Sequence, residues 1–141
     1  MVTEYLKGAW VILFTLDIEK LKEQGKIYII VTLVCILFAM IYESFSHGVI
    51  SNFMIYAFAI PLIFGVGVYY MAYFWKIKKL PNKFENKTYN AWIATLTIGS
   101  IVEGVLQIYG TTNSKIYVYL IAGIVLLISS IISYLLRRVS V

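Results

Sequence analysis

Two pairs of polar side chains lie in otherwise apolar sequence and could do chemistry. His47 is the only histidine of the chain, and Glu43 precedes it by four residues. On a continuing helix, residues four apart share one face, so this carboxylate and imidazole would lie within reach of each other. Glu103 and Gln107 repeat the spacing in a later apolar stretch. A carboxylate there is costly in lipid unless it faces other helices, carries a proton or has a partner.

Together these pairs predict one polar pocket at the outer end of a helical bundle. Glu103 lies seven residues before Gly110, which places it ~10 Å beneath the adjoining turn on a helix that rises ~1.5 Å per residue. Such a pocket, opening outward, would bind or pass a small polar or cationic ligand. Its predicted residues are Glu43, His47, Glu103 and Gln107, with Tyr42, Ser46, Ser51, Asn52 and Tyr109 at the rim.

The same residues leave two other functions open. In an intramembrane enzyme acting on a lipid or lipid-linked substrate, His47 would be the general acid or base and Glu43 would orient it. In a structural or accessory subunit, the polar groups would satisfy one another and hold two hairpins together. One histidine without a second-ligand motif predicts no metal. No cofactor and no nucleic-acid partner are predicted, because phosphate loops, dinucleotide fingerprints and nucleic-acid motifs are absent from the sequence.

Composition indicates the structure that must position these groups. The 141-residue chain is 61% hydrophobic and 13% charged, whereas soluble domains are about 25% charged. A membrane-spanning helix needs about 17–25 mainly apolar residues. The sequence therefore predicts an all-α fold, an integral membrane four-helix bundle whose partner is the lipid bilayer. The domain covers residues 27–136, with spans at 27–45, 49–75, 88–109 and 116–136.

The segments outside the spans have their own predicted structures. Residues 1–26 carry apolar positions such as Trp10 and Leu13 among charged ones, which favours an amphipathic helix on the inner membrane surface. Gly25 is its predicted C-terminal stop. The lysine-rich connection 76–87 is predicted to be solvated, and residues 137–141 to be a cytoplasmic tail. Pro61 predicts a kink in the second span.

The distribution of positive charge predicts the orientation. The net charge is +5, and the basic residues cluster before the first span, between the second and third, and after the fourth. The connections around His47 and Asn113 contain Lys115 alone. By the positive-inside rule, both termini and the middle loop face the cytoplasm. We expect a multi-pass plasma-membrane protein, bacterial by its AT-rich type of composition, and a homodimer because four helices make a thin bundle.

Three stretches carry a resemblance. Residues 42–54, with the sequence YESFSHGVISNFM, together with Leu96–Ser100 and Ile108–Asn113, resemble segments of small, uncharacterised four-helix membrane proteins of bacteria. The resemblance covers roughly residues 27–136 and leaves out the N-terminal segment. It implies the architecture alone and assigns no activity and no site residue.

Overall fold

Helices make up all of the regular structure in the described part of the chain. A computed structural model describes residues 2–76, 81–111 and 113–140, without the side chains of residues 9–17. This confirms the predicted all-α helical bundle. The elements are α1 (Val2–Phe45), α2 (Asn52–Tyr56), a π-helical segment (Pro61–Gly67), α3 (Val68–Phe74), α4 (Lys83–Ile108), a 3₁₀ turn (Ser114–Ile116) and α5 (Tyr117–Val139).

Four helical stretches are long and apolar enough to cross a membrane. They are Ile18–Phe45, Asn52–Phe74, Lys83–Ile108 and Ser114–Val139, and they correspond to the four predicted spans. Many of their large apolar side chains are exposed, among them Leu37 and Ile121. Exposed apolar surface on this scale is what a lipid-facing helix presents and what an ordinary soluble protein avoids.

The first helix differs from the prediction at Gly25. Instead of ending there, α1 continues without a break from the N-terminal segment into the first span. Gly25 is buried, and a Cβ atom at this position would lie 2.7 Å from Cε2 of Tyr70. The glycine therefore admits a tyrosine ring from the second span and does not stop the helix. The amphipathic pattern predicted around Trp10 and Leu13 falls on side chains outside the described ones.

The second span is interrupted where the sequence predicts a kink. Pro61 begins the π-helical segment that ends at Gly67, because proline cannot donate the usual backbone hydrogen bond and clashes with the preceding turn. The carbonyl of Phe64 in this segment accepts a hydrogen bond of 2.7 Å from the hydroxyl of Tyr89 on α4. A side chain of the third span thus satisfies a carbonyl of the irregular segment.

The helices pack in chain order. α1 packs against the π-helical segment and α3, α2 packs against α4, and α4 packs along α5. α1 also reaches α4 through a side-chain bridge, in which the Tyr28 hydroxyl donates to Oδ1 of Asn90 over 2.7 Å. We call the end of the bundle formed by residues 43–52 and 103–113 the Glu43 end, and the opposite end the Glu85 end.

Candidate functional site at the Glu43 end

The turn after α1 separates His47 from Glu43. The helix ends at Phe45, and His47 and Gly48 both adopt positive φ angles, of 55° and 90°. Ser46 closes the turn, since its hydroxyl donates to the carbonyl oxygens of Glu43 and Val49, 2.7 Å away in each case. The helical spacing that would align Glu43 with His47 is therefore lost. The imidazole is exposed, and no hydrogen bond or ion pair joins it to Glu43 in the described part of the chain.

Three polar side chains form a hydrogen-bonded row between α2 and α4. The buried Ser51 hydroxyl donates to Oε1 of Gln107 over 2.8 Å. The Gln107 amide in turn donates to Oε1 of Glu103 over 3.4 Å. Close packing of the two helices makes this row possible, because a Cβ atom on Gly104 would lie 2.9 Å from the backbone nitrogen of Met54. The structure thus brings Glu103 and Gln107 together, as the helical spacing predicts, and joins to them Ser51, which the sequence places at the rim.

Two carboxylate oxygens at this end have no partner among the described residues. Oε1 of Glu43 and Oε2 of Glu103 are both buried, and neither accepts a hydrogen bond from the described part of the chain. An ionised carboxylate can only accept hydrogen bonds, and a buried acceptor left unsatisfied costs free energy. Each oxygen is therefore free to accept a hydrogen bond from a cationic ligand.

The remaining predicted rim residues are close in sequence to Glu43 or Glu103. Tyr42 is half-buried near the end of α1, and Tyr109, which directly follows α4, is exposed. The Tyr42 ring also stacks on Phe38, with ring centroids 5.9 Å apart. Asn52, the first residue of α2, is exposed. Among the described residues, no group of three histidine, cysteine or acidic side chains is arranged to hold a metal ion.

A buried ion pair lies at the Glu85 end, where the sequence predicts a solvated connection. Glu85 belongs to α4, and its side chain is 1% exposed. Arg137 of α5 donates to both carboxylate oxygens, from Nε to Oε1 over 3.1 Å and from Nη2 to Oε2 over 2.9 Å. The backbone nitrogen of Asn82 donates to Oε2 over 2.8 Å. The predicted solvated connection 76–87 therefore does not extend to Glu85, because this carboxylate caps the start of α4 and bonds α5.

One sequence signal could have located this pair. Asn82 and Glu85 have the spacing of a capping box, in which an N-terminal capping residue and the residue three positions later bond each other's backbone. Both bonds are present. Recognition of this pattern would have started the third helix at Lys83 rather than Thr88 and placed Glu85 inside it.

A cavity of about 350 Å³ lies beside the ion pair. Its walls are mainly apolar and come from α1, α3, α4, α5 and the residue Pro81. None of the residues predicted for the polar pocket lines it. The lining residues are Leu21, Val68, Tyr69, Ala72, Pro81, Glu85, Asn86, Tyr89, Ser130, Ile131, Tyr134 and Leu135.

Comparison of the chain with protein-family models, curated proteins and solved structures finds no match.

Proposed function

We propose that this chain is a multi-pass membrane protein that binds a small organic cation at the Glu43 end, through the carboxylates of Glu43 and Glu103. The observation that supports the proposal is that Glu43 Oε1 on α1 and Glu103 Oε2 on α4 are both buried without a hydrogen bond from the described residues. Ionisable side chains inside membrane-spanning segments usually belong to ligand or ion pathways, because an unused one is expensive to keep there.

The hydrogen-bonded row next to Glu103 has a positioning role. Gln107 occupies Oε1 of Glu103 and is itself held by Ser51. This leaves Oε2 as the atom available to a ligand. Ser51 and Gln107 therefore orient the carboxylate, and the charge that attracts the ligand belongs to Glu103 and Glu43.

The chemistry of the surroundings favours a protonated amine. An ammonium group donates hydrogen bonds to unpartnered carboxylate oxygens, and aromatic rings attract cations through their faces. Tyr42, stacked on Phe38, and Tyr109 supply aromatic rings near the two acidic residues along the chain. His47 is exposed at the turn and takes no part in holding the cation.

We further propose that the Glu43 end faces the outside of the cell and that both termini are cytoplasmic. Residues 103–113 and 43–52 contain no basic side chain except His47, and Lys115 follows shortly after. At the Glu85 end, by contrast, lie Lys22, Lys83, Arg137 and Arg138 among others. Positively charged flanks stay on the cytoplasmic side during insertion, so the cation site would be reached from outside.

Binding of radiolabelled methylamine to the full-length protein in phosphatidylcholine vesicles tests the cation site. We expect saturable binding that Glu43→Gln and Glu103→Gln each weaken by about tenfold or more, because each removes a charged acceptor worth about 1.5–3 kcal/mol. Glu4→Gln is the matched control, since Glu4 is an exposed acidic residue near the N-terminus.

Two results would overturn the proposal. One is methylamine binding that all three variants retain equally. The other is no saturable binding by the folded wild-type protein together with unchanged stability of the Glu43→Gln, Glu103→Gln double variant, which would give both carboxylates a neutral, structural role. Uptake of methylamine into sealed vesicles then distinguishes passage of the ligand from binding alone.

A further inference from the structure

The cavity at the Glu85 end has polar groups in its walls, but these groups bond one another. Glu85 is bonded by Arg137 and by the Asn82 backbone. The Ser130 hydroxyl donates to the Glu85 carbonyl over 3.0 Å. Since these polar atoms already have partners, the cavity has little to offer a polar ligand.

The tyrosines in the walls are satisfied in the same way. The Tyr69 hydroxyl lies within hydrogen-bond distance of the side-chain oxygens of Asn86 and Asn90 and can donate its one hydrogen to either. The Tyr89 hydroxyl donates to the Phe64 carbonyl. Their rings, and not their hydroxyls, are left to contact an occupant. A cavity whose walls are apolar or internally satisfied remains dry and accepts apolar groups.

The position of the cavity indicates which apolar ligand can reach it. Its volume of about 350 Å³ lies in the range of roughly 300–1,000 Å³ typical of ligand pockets. It has walls on α1 and on α5, two helices whose backbones do not approach each other in the described part of the chain. The gap therefore lies between membrane-spanning helices, where the hydrocarbon chains of lipids are the surrounding solvent.

A positive charge marks the end of the same helix face. Ile131, Tyr134 and Leu135 line the cavity from α5, and Arg138 follows them at helical spacing, seven residues after Ile131 and four after Tyr134. Residues at these spacings share one face of a helix. Arg138 is exposed in the last turn of α5, which places a guanidinium group near the level of lipid headgroups.

From this geometry we propose that the cavity binds one anionic phospholipid. An acyl chain occupies the space between α1 and α5, and the phosphate pairs with Arg138. Arg137 is engaged by Glu85 and supports the wall, whereas Arg138 supplies the charge that distinguishes an anionic lipid from a zwitterionic one. Basic residues beside a membrane-spanning helix attract anionic headgroups in this way.

Electron paramagnetic resonance with spin-labelled lipids tests both halves of the proposal. The full-length protein is placed in phosphatidylcholine vesicles that contain spin-labelled phosphatidylglycerol or spin-labelled phosphatidylcholine, and the immobilised fraction is measured. We expect the wild-type protein to select phosphatidylglycerol about fivefold, the effect of one basic residue near the surface. Arg138→Gln should abolish this selectivity. Lys115→Gln, the matched control at the other end, should preserve it.

A second pair of variants tests occupation of the cavity itself. Ala72→Phe fills the space from α3, because Ala72 lines the cavity. It should reduce the immobilised fraction of both lipids relative to wild type. Ala94→Phe adds the same ring on an exposed position of α4 and is the control.

The proposal is overturned if Ala72→Phe and Ala94→Phe immobilise the same fraction of lipid, or if Arg138→Gln and Lys115→Gln show the same selectivity. Circular dichroism of Ala72→Phe verifies that the variant remains helical. Should it unfold, the smaller Ala72→Leu is measured against Ala94→Leu by the same criterion. Neither outcome depends on Glu43 or Glu103, so the lipid site and the cation site are tested independently.

Discussion

At the scale of single residues, the carboxylates at the two ends of the bundle differ in the hydrogen bonds that they accept. Glu85 accepts hydrogen bonds on both oxygens, from Arg137 and from the Asn82 backbone. Glu43 and Glu103 each have one buried oxygen without a partner among the described residues. A carboxylate whose two oxygens both accept hydrogen bonds stabilises the fold, whereas one with an oxygen that accepts none can bind a ligand. This contrast distinguishes Glu85, a structural acid, from the two proposed functional ones.

The ion pair of Glu85 and Arg137 gives a prediction at this scale. The Glu85 side chain is 1% exposed and that of Arg137 is 29% exposed. Arg137→Gln should lower the free energy of unfolding by about 3–5 kcal/mol, because it leaves a buried carboxylate without its counter-ion. Glu85→Gln should cost less, since the guanidinium retains access to solvent. Unfolding in mixed micelles of increasing denaturing detergent measures both.

A double variant distinguishes the interaction between Glu85 and Arg137 from the effect of removing either charge alone. Glu85→Gln combined with Arg137→Gln removes both charges, so it should be more stable than Arg137→Gln alone. Arg138→Gln is the control for loss of one positive charge from the last turn of α5. Equal stability of Arg137→Gln and Arg138→Gln would show that the buried pair contributes nothing specific.

At the scale of the elements, glycines determine how closely the helices approach. Gly104 lets α4 meet the backbone of α2 at Met54, and Gly65 accommodates the Tyr28 ring of α1. Gly99 faces Tyr119 of α5 in the same manner. Small residues permit this close contact, on which helix association in membranes depends. These glycine faces are therefore used within the chain, and the homodimer stays a prediction.

Gly104 gives the sharpest test of these contacts. In Gly104→Ala the new methyl group would lie 2.9 Å from the Met54 nitrogen and 3.0 Å from its Cα, and backbone cannot move aside as a flexible side chain can. We expect a loss of about 1–3 kcal/mol in the free energy of unfolding, as for other overpacked sites. The row of Ser51, Gln107 and Glu103 should loosen as well, so methylamine binding should weaken.

The control for this substitution is Gly67→Ala. A Cβ atom at Gly67 would lie 3.6 Å from the Leu62 carbonyl oxygen, an ordinary contact, so the change should alter stability by only about 0.5 kcal/mol. Detergent-induced unfolding compares the two. A Gly104→Ala protein as stable as Gly67→Ala would contradict the close packing of α2 on α4.

The same contacts explain what the sequence could and could not predict. Length and hydropathy identified the four spans, because a bilayer imposes its thickness on any helix that crosses it. Gly25 carried the pattern of a helix stop, yet Tyr70 packs on it and the helix continues. Tyr70 lies 45 residues after Gly25 in the sequence, so no local sequence pattern predicts this contact. The interruption at Pro61 was predictable, but its π-helical form and its bond from Tyr89 were not.

The candidate site was predictable to a similar degree. Glu103 and Gln107 are brought together as their spacing within one helix predicts. His47 is four residues after Glu43, but the helix ends between them at Phe45 and a turn follows. A spacing of four residues predicts a shared face only within a continuous helix. Ser51 enters the row from another span. Glu85 lies in a lysine-rich stretch that favours a solvated position, but its partner is an arginine 52 residues away, which no local pattern shows.

At the scale of the whole molecule, the fold separates two surfaces of different chemistry. The Glu43 end holds two acidic oxygens that have no partner among the described residues, and the Glu85 end holds an apolar cavity and several basic side chains. If the proposals hold, a cation would be bound at one membrane face and an anionic lipid at the other. The direction of the bundle in the membrane therefore determines which compartment each site serves.

This direction can be measured with single cysteines. The natural Cys35 is buried, and Cys35→Ser removes it as a background signal. Asn113→Cys and Ser140→Cys then place one thiol at each end, at positions that are exposed in the structure. In intact cells, a membrane-impermeant maleimide should label Asn113→Cys at once and Ser140→Cys only after permeabilisation, because the basic flanks retain the Glu85 end in the cytoplasm.

The reverse labelling pattern would have a defined consequence for the cation site. Glu43 and Glu103 would then face the cytoplasm, and the methylamine that binds them would have to come from inside the cell. The binding proposal would survive this result, since it depends on two unpartnered oxygens and not on a direction. The proposed orientation would not survive it, because the charge asymmetry between Lys115 alone and the many basic residues at the other end is its entire physical basis.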